Sequence, residues 1–420
     1  MLDIKYIRQN PEEVKEGLKK KGAEVDIDAL LSADEKRRKI ISSLEEMKAE
    51  KNAATIEIPQ LKDEKKKKEI IEKMKRVDEK ADKAEEDLKK ITEEFLLLLR
   101  QVPNIPLKEV PVGKDETGNV VIKEVGEKPV FSFKPKDYME IAEKLDIIDT
   151  KRAAKASGTR FGYIKGGAAL LELGLINLAF DVLKEEGFIP VIPPVMLKPE
   201  MMQAMGYLDR GRDEIYYFEK DDLYLVGTSE QSIGAMHADE IFLKSELPKR
   251  YAGFSTCFRR EAGASGKDTK GILRVHQFDK VEMFSFCDPE KSSEEHKLLL
   301  SMEEKLMQIL KIPYRVLDIC TGDLGDPAAA KYDIEAWLPG QNCYRETHST
   351  SNCTSFQARR LNVRYRDPEA KKIDFVHTLN GTAFATGRII ISIIENYQQE
   401  DGSVKVPEAL QQYIKIDKIS

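Results

Sequence analysis

Between Ile70 and Leu98, apolar residues recur at alternating spacings of four and three: Ile70, Met74, Val77, Ala81, Ala84, Leu88, Ile91, Phe95 and Leu98. That period predicts a coiled-coil seam within residues 60–101. The positions between are almost all Lys, Glu or Asp. A weaker helical series lies upstream, at Leu30, Ile40, Leu44, Met47, Ala54 and Ile58, and Pro59 separates the two by ending the first helix. The simplest structure is an antiparallel two-helix arm. At ~1.5 Å per residue, a helix of about 40 residues reaches ~60 Å. Such an arm encloses little core and must project into water, which accounts for a charged share of 34%. The pattern alone fits a spacer or dimerisation coiled coil as well as a limb that touches a large partner. The run Lys65 to Lys68 near the tip suits a phosphate backbone, and it equally suits a plain solvated face.

The remaining length of a 420-residue chain leaves room for one or two further domains. Residues 1–102 are read as an N-terminal domain with the arm and 136–420 as the main body. Residues 103–135, rich in Pro, Gly and Val, are read as a linker with one short hairpin at most. A net charge of −6 means that any nucleic acid must be met by locally grouped cations. Cys257, Cys287, Cys320, Cys343 and Cys353 are odd in number and show neither paired nor metal-ligand spacing. No disulfide framework and no structural zinc are expected, and the setting predicted is reducing and cytoplasmic. The first residues lack the apolar core of a signal peptide, and no run is expected to span a bilayer.

In the body, helices are predicted at Asp137–Leu145, Ala168–Glu186 and Ser293–Leu310. The prolines of Phe188 to Val195 suit an edge strand. Tyr216 to Val226 reads as a hairpin, and Tyr314–Cys320, Lys331–Trp337 and Cys343–Asn352 read as strands. A strand from Phe375 is predicted to end at Asn380-Gly381, with a helix from Ala383 to Gln398 that carries Arg388 in its second turn. Strands joined by hairpins, with helices set aside, imply an α+β fold built on an antiparallel sheet flanked by helices. Neither phosphate-binding glycine motif of the doubly wound nucleotide folds occurs.

The chemistry concentrates in Cys257 to Glu282, a predicted strand–loop–strand. Its loop holds Gly263, Gly266 and Gly271 with Arg259, Arg260, Lys267, Lys270 and Arg274. Cations gathered where two strands turn suit a polyanion held against a sheet. Arg259 and Arg388 can each clamp a phosphate and stabilise charge on a transferring nucleotidyl group. Phe278 can stack on a base. Glu346 and Ser349 offer hard oxygens for Mg²⁺. Glu230, Glu282 and Thr382 can form a polar pocket that rejects ligands lacking an ammonium or a hydroxyl. His276 and His377 lie in strand patterns and are read as core histidines in preference to acid–base groups.

Several stretches together resemble one family. Cys257-Phe258-Arg259-Arg260-Glu261-Ala262-Gly263 with Arg274-Val275-His276-Gln277-Phe278-Asp279-Lys280-Val281-Glu282 is similar to the second motif of class II aminoacyl-tRNA synthetases. Asn380-Gly381-Thr382-Ala383-Phe384-Ala385-Thr386-Gly387-Arg388 is similar to the third, and the helix ending at Gly187 with Pro194 beyond it to the first, dimer-forming motif. Ser351-Asn352-Cys353, Phe356-Gln357-Ala358-Arg359-Arg360 and Glu395-Asn396-Tyr397-Gln398 point to seryl-tRNA synthetases of the bacterial type.

The resemblance implies a homodimeric serine–tRNA ligase that uses ATP and Mg²⁺. It implies tRNA(Ser) as partner, with tRNA(Sec) where that tRNA exists. Arg259 and Arg388 are then the catalytic cations, on the α- and γ-phosphates. Arg260, Glu261, Val275, Phe278, Glu346, Thr347, His348 and Ser349 complete the ATP site, with Phe278 on adenine at the opposite end of ATP from Arg259. Glu346 and Ser349 hold Mg²⁺. Thr228, Ser229, Glu230, Glu282 and Thr382 match the serine pocket. Lys267, Lys270 and Arg274 are left to the acceptor end of tRNA. Ser229, Thr382, Thr347-His348 and Gly325-Asp326-Pro327 depart from the usual family residues without removing a charged group. Two other readings remain at this point: the same scaffold charging another small amino acid or a carrier protein, and a tRNA-binding protein with an inactive site.

Overall fold

The computed structural model describes residues 1–209, 211–262 and 270–420. Gly263, Gly266 and Lys267 of the cationic loop therefore lie outside the described residues. The chain forms two compact units. One comprises residues 2–19 and 23–103; the other comprises residues 104–420 with Met1 and residues 20–22.

In the first unit, helix Ile27–Glu57 runs to a 3-10 turn at Ile58–Gln60 that contains Pro59, and helix Glu64–Gln101 returns. The side chain of Asp26 accepts from the N–H of Ala29, and that of Asp63 from Lys65 and Lys66, so both helices start on an acidic cap. Every member of the two apolar series is at least half-buried; on the returning helix Ile91 and Phe95 are fully so, as is Leu99, the neighbour of the expected Leu98. A two-helix seam shields one face of each helix and no more. Near the base, two short helices, Ile4–Gln9 and Pro11–Lys20, widen the core with Ile7, Val14 and Leu18. Buried Asp34 is paired there with Arg8 at 3.3 Å and Arg38 at 3.0 Å.

The second unit is organised by an eight-stranded sheet. Its strands are β1 (Val120–Val125), β2 (Ile189–Val191), β3 (Lys249–Phe258), β4 (Gln277–Cys287), β5 (Tyr314–Asp318), β6 (Ala330–Leu338), β7 (Cys343–Asn352) and β8 (His377–Ala385). They lie in the order β1-β5-β6-β7-β8-β4-β3-β2. All neighbours are antiparallel except β2 and β3, so the sheet is mixed at one edge, not wholly antiparallel as the sequence suggests. Pro190 sits in that edge strand, where a missing N–H is tolerated. Helices Gly166–Glu185, Ser292–Ile309 and Thr386–Asn396 pack on one face around Leu171, Leu175, Leu306, Met307, Ile390 and Ile394.

Residues 103–135 differ from the expected linker. Val120–Val125 pairs with β5, and Leu107 and Val110 pack on Leu317, Ile319 and Leu324. The run Val120-Val121-Ile122 is strand-like but short, and the Pro, Gly and charged residues around it mask the strand that pairs at this sheet edge. Helix Gly166–Glu185 also departs from expectation: it is long and apolar enough to cross a membrane by composition. Its inner residues Leu171, Leu175, Leu178 and Leu183 belong to the core, which supplies a protein partner for that apolarity. The strand predicted to stop at Asn380-Gly381 continues to Ala385 instead. Gly381 faces Thr350 across the ladder, and a Cβ there would stand about 3.1 Å from Glu303 and Thr350, so the glycine serves close packing and not a turn. Arg388 consequently falls in the first helical turn, not the second.

Candidate functional site

Alternation along β4 puts Phe278, Lys280 and Glu282 on one face while Val281 and Met283 join the helix-side core. That face forms part of a cleft of about 800 Å³, large enough for a nucleotide-sized ligand. Thr228 and Glu230 reach it from the N-terminus of helix Ser229–Met236, which Thr228 caps. Arg259, Glu261 and Val275 line it at the open end of the β3–β4 hairpin. Glu346, Thr347 and Ser349 enter from β7, Thr382 from β8 and Arg388 from the helix beyond.

Two bulges set this arrangement. On β7, His348 faces Ile334 and Glu346 faces Glu335, so Thr347 is an extra residue. Residues three apart in a regular strand point to opposite faces; the extra residue brings Glu346 and Ser349 to the same wall. On β8, Phe384 faces Val281 and Thr382 faces Glu282, which leaves Ala383 as the extra residue and places Thr382 beside Glu282.

One end of the cleft is a buried charged floor. Lys280 Nζ lies 2.5 Å from Glu282 Oε2, with side-chain exposures of 8% and 1%. The same ammonium donates to Thr228 Oγ1 at 3.3 Å. Tyr207 donates its hydroxyl to Glu230 Oε1, and Asn380 Nδ2 approaches that oxygen at 3.5 Å. Burial pushes the Glu282 carboxyl up; Lys280 pulls it back and Glu230 adds to the rise, leaving it at about 7. Burial likewise raises Glu230 against the pull of Lys280. Gly253 faces Glu282 on β3, where a Cβ would stand 2.3 Å from Ile233, so only glycine lets helix Ser229–Met236 sit this close.

The other end carries the guanidiniums. Arg388 Nη1 bonds Glu346 Oε1 at 2.9 Å and the Glu346 carbonyl at 3.1 Å. Enclosure in the cleft would raise the Glu346 carboxyl, but Arg388 and Lys331 outweigh that and hold it at about 2, while 48% of its side chain still meets solvent. Arg259 Nε donates to the Gly227 carbonyl at 3.2 Å. Its guanidinium carbon lies 5.2 Å from the centroid of the Phe278 ring, so two groups expected at opposite ends of a nucleotide are neighbours here.

Three expected residues stand apart from the cleft lining. Ser229 turns into the sheet and donates to the Gly253 carbonyl at 2.9 Å. Arg260 is exposed at the hairpin rim. His348 is buried beside Phe384, bonded to Thr347 Oγ1 at 2.8 Å, and burial pushes its imidazole down to about 3. Arg274, set aside from ATP in the sequence, does line the cleft and pairs with Glu261 at 3.5 Å. His377 is half-buried and does not line the cleft, and desolvation pushes its pKa down to about 4.

Sequence reasoning missed Lys280, Lys331, Tyr207 and Asn380 on the cleft wall. Lys280 was legible, since a Lys two places before Glu282 must share its face in a strand. Lys331 pairs with Asp333 at 3.1 Å by the same alternation. Tyr207 carries no such signal, because a loop places it.

Comparison with known proteins accords with this geometry. Residues 1–106 match the model of the seryl-tRNA synthetase N-terminal domain, and residues 216–397 that of the tRNA synthetase class II core domain (G, H, P, S and T). The serine–tRNA ligase of Thermobifida fusca is 46% identical over 418 residues, 99% of this chain and 98% of that protein. The seryl-tRNA synthetase of Pyrococcus horikoshii, solved with ATP, is 42% identical and superposes with a TM-score of 0.93 over 100% of this chain and 99% of its own. The cytoplasmic enzyme of Naegleria fowleri, solved with AMP, is 36% identical with a TM-score of 0.88, again over 100% and 99%. With both units matched and identity sustained along the whole length, the chain belongs to the seryl-tRNA synthetases, class II aminoacyl-tRNA ligases.

Proposed function

We propose that this chain activates L-serine with ATP and transfers it to the terminal ribose of tRNA(Ser). The observation that carries the reading is the division of one cleft into a buried Lys280–Glu282–Glu230 floor and a wall bearing Arg259 and Arg388. The floor suits a small zwitterion with a hydroxyl; the guanidiniums suit a polyphosphate. Thr228, Glu230, Glu282 and Thr382 take the serine. Arg259 takes the α-phosphate, Phe278 and Val275 the base, and Arg388 the γ-phosphate.

The serine carboxylate attacks the α-phosphorus in line, the bond to the β-phosphate oxygen breaks, and seryl-adenylate and pyrophosphate form. A tRNA ribose hydroxyl then attacks the acyl carbon and releases AMP. Positioning and charge stabilisation supply the rate, with no covalent enzyme intermediate. Serine-dependent exchange of pyrophosphate into ATP is the direct assay; a folded protein without it would overturn the reading.

Glu346 and Ser349 fit a magnesium ion. Both present hard oxygens to the same wall, and Arg388 and Lys331 keep the carboxyl ionised. No group of three or more His, Cys, Asp or Glu positioned to hold a metal occurs among the described residues. When bound, the metal would neutralise phosphate charge.

The Glu282 shift gives a pH dependence. Below about 7 the carboxyl is protonated and loses its attraction for an ammonium; above it the carboxylate is available. The KM for serine is expected to rise as pH falls through that value, by about tenfold per unit at the limit. Steady-state exchange measured across this range checks it, and a flat profile would show that Glu282 keeps one charge state there when serine binds.

A second copy of the chain completes the enzyme in this reading. Helix Gly166–Glu185 and the segment after it leave Leu173, Ile189 and Ile192 exposed at 58%, 53% and 82%. A second copy packed on this helix and segment would cover these side chains. Sedimentation should give the mass of two chains; the mass of one would refute the dimer.

A further inference from the structure

Arg259 is braced by a residue that does not line the cleft. The regular pairing of β3 with β4 ends at Phe258 and Gln277. The next pair in register is Arg259 and His276. In an antiparallel ladder such a pair exchanges two backbone hydrogen bonds. Here one is kept: the Arg259 N–H donates to the His276 carbonyl at 3.0 Å. The backbone N–H of His276 instead donates to the carbonyl of Arg160 at 2.9 Å. The ring of His276 supplies the missing bond, with Nδ1 2.9 Å from the Arg259 carbonyl. A carbonyl can only accept, so Nδ1 carries the hydrogen.

The brace extends further. Arg160 Nη1 donates to the carbonyl of Glu261 at 2.9 Å. Arg160 and Glu261 both have left-handed backbones, with φ of 61° and 49°. Non-glycine residues keep that conformation only where their surroundings fix it. The rings of Phe161 and Tyr216, with centroids 5.3 and 6.4 Å from that of the imidazole, hold its plane.

We propose that His276 is a positioning residue for Arg259. Its Nδ1–H replaces a ladder bond at the mouth of the hairpin, and Arg160 carries the brace on to Glu261. The peptide of Arg259 is thereby fixed on both sides, and its guanidinium meets the α-phosphate in register. This rests on the assignment of Arg259 to that phosphate.

The test is serine-dependent pyrophosphate exchange with ATP and serine varied separately. An Asn side chain can place an N–H near Nδ1; Gln and Leu cannot. His276→Gln and His276→Leu are expected to lower kcat/KM for ATP on the order of 10- to 100-fold, as for a misplaced binding group, with the KM for serine unchanged. His276→Asn should stay within about threefold of the parent. Arg160→Met, which keeps the aliphatic stem, should show the same ATP-selective loss and carries the test if the histidine variants melt early. Equal losses in Asn, Gln and Leu would show that ring packing matters and not the donor. Parent-like kinetics in His276→Leu, or ATP and serine failing together, would also overturn the proposal. Arg259→Ala separates the two layers: if it keeps parental ATP kinetics, the phosphate assignment itself fails.

Discussion

Arg388→Ala should lower serine-dependent pyrophosphate exchange about 10³-fold while leaving the fold and its melting temperature intact. Arg388 projects from the first turn of helix Thr386–Asn396, and only 24% of its side chain meets solvent. It is not part of the apolar core, so little packing is lost. Two things are lost in its place. A fixed positive charge leaves the wall where pyrophosphate forms, and Glu346 loses the charge that does most to hold its carboxyl low. Glu346 should then titrate higher, which weakens any cation shared with the triphosphate. Arg388→Lys restores charge without the planar fork and should recover only part of the rate. Unchanged turnover in the alanine variant would remove Arg388 from the γ-phosphate.

Replacing residues 30–100 by a short Gly/Ser link should leave pyrophosphate exchange near the parental rate and lower tRNA(Ser) charging on the order of 10²- to 10⁴-fold. The warrant is that the arm helices belong to one compact unit and every cleft residue to the other. A tethered second contact raises the effective concentration of a large ligand without touching the chemistry. Charging that survives the deletion would assign tRNA binding to the body alone.

Much of this was legible in the sequence, and unevenly. The arm was readable because the coiled-coil period is local: Ile70 to Leu98 needs no distant partner to announce itself. The hairpin was readable because two strand-like runs flank a glycine-rich cationic turn, with Arg259 at its mouth and Phe278 and Glu282 alternating along the outgoing strand. Residues whose orientation depends on a neighbouring strand were not. Ser229 and His348 sit among true cleft residues in the sequence, yet a helix start and an extra residue turn them inward. Lys280 shares the face of Glu282 by strand alternation alone, but its pairing with that carboxylate at 2.5 Å is visible only in the structure. Tyr207 reaches Glu230 from a loop 23 residues upstream, a distance that no periodicity reports.

The extra residue in β7 has a meaning for anyone who would rebuild such a site elsewhere. A Glu-x-x-Ser string copied into a regular strand would send its two oxygen donors to opposite sides of the sheet. The transferable unit is therefore the string together with the irregular pairing around Thr347. Deleting that single threonine would leave the two donors two places apart, on one face of a regular strand, whereas forcing regular pairing on the intact four-residue string would separate them with every functional side chain still present.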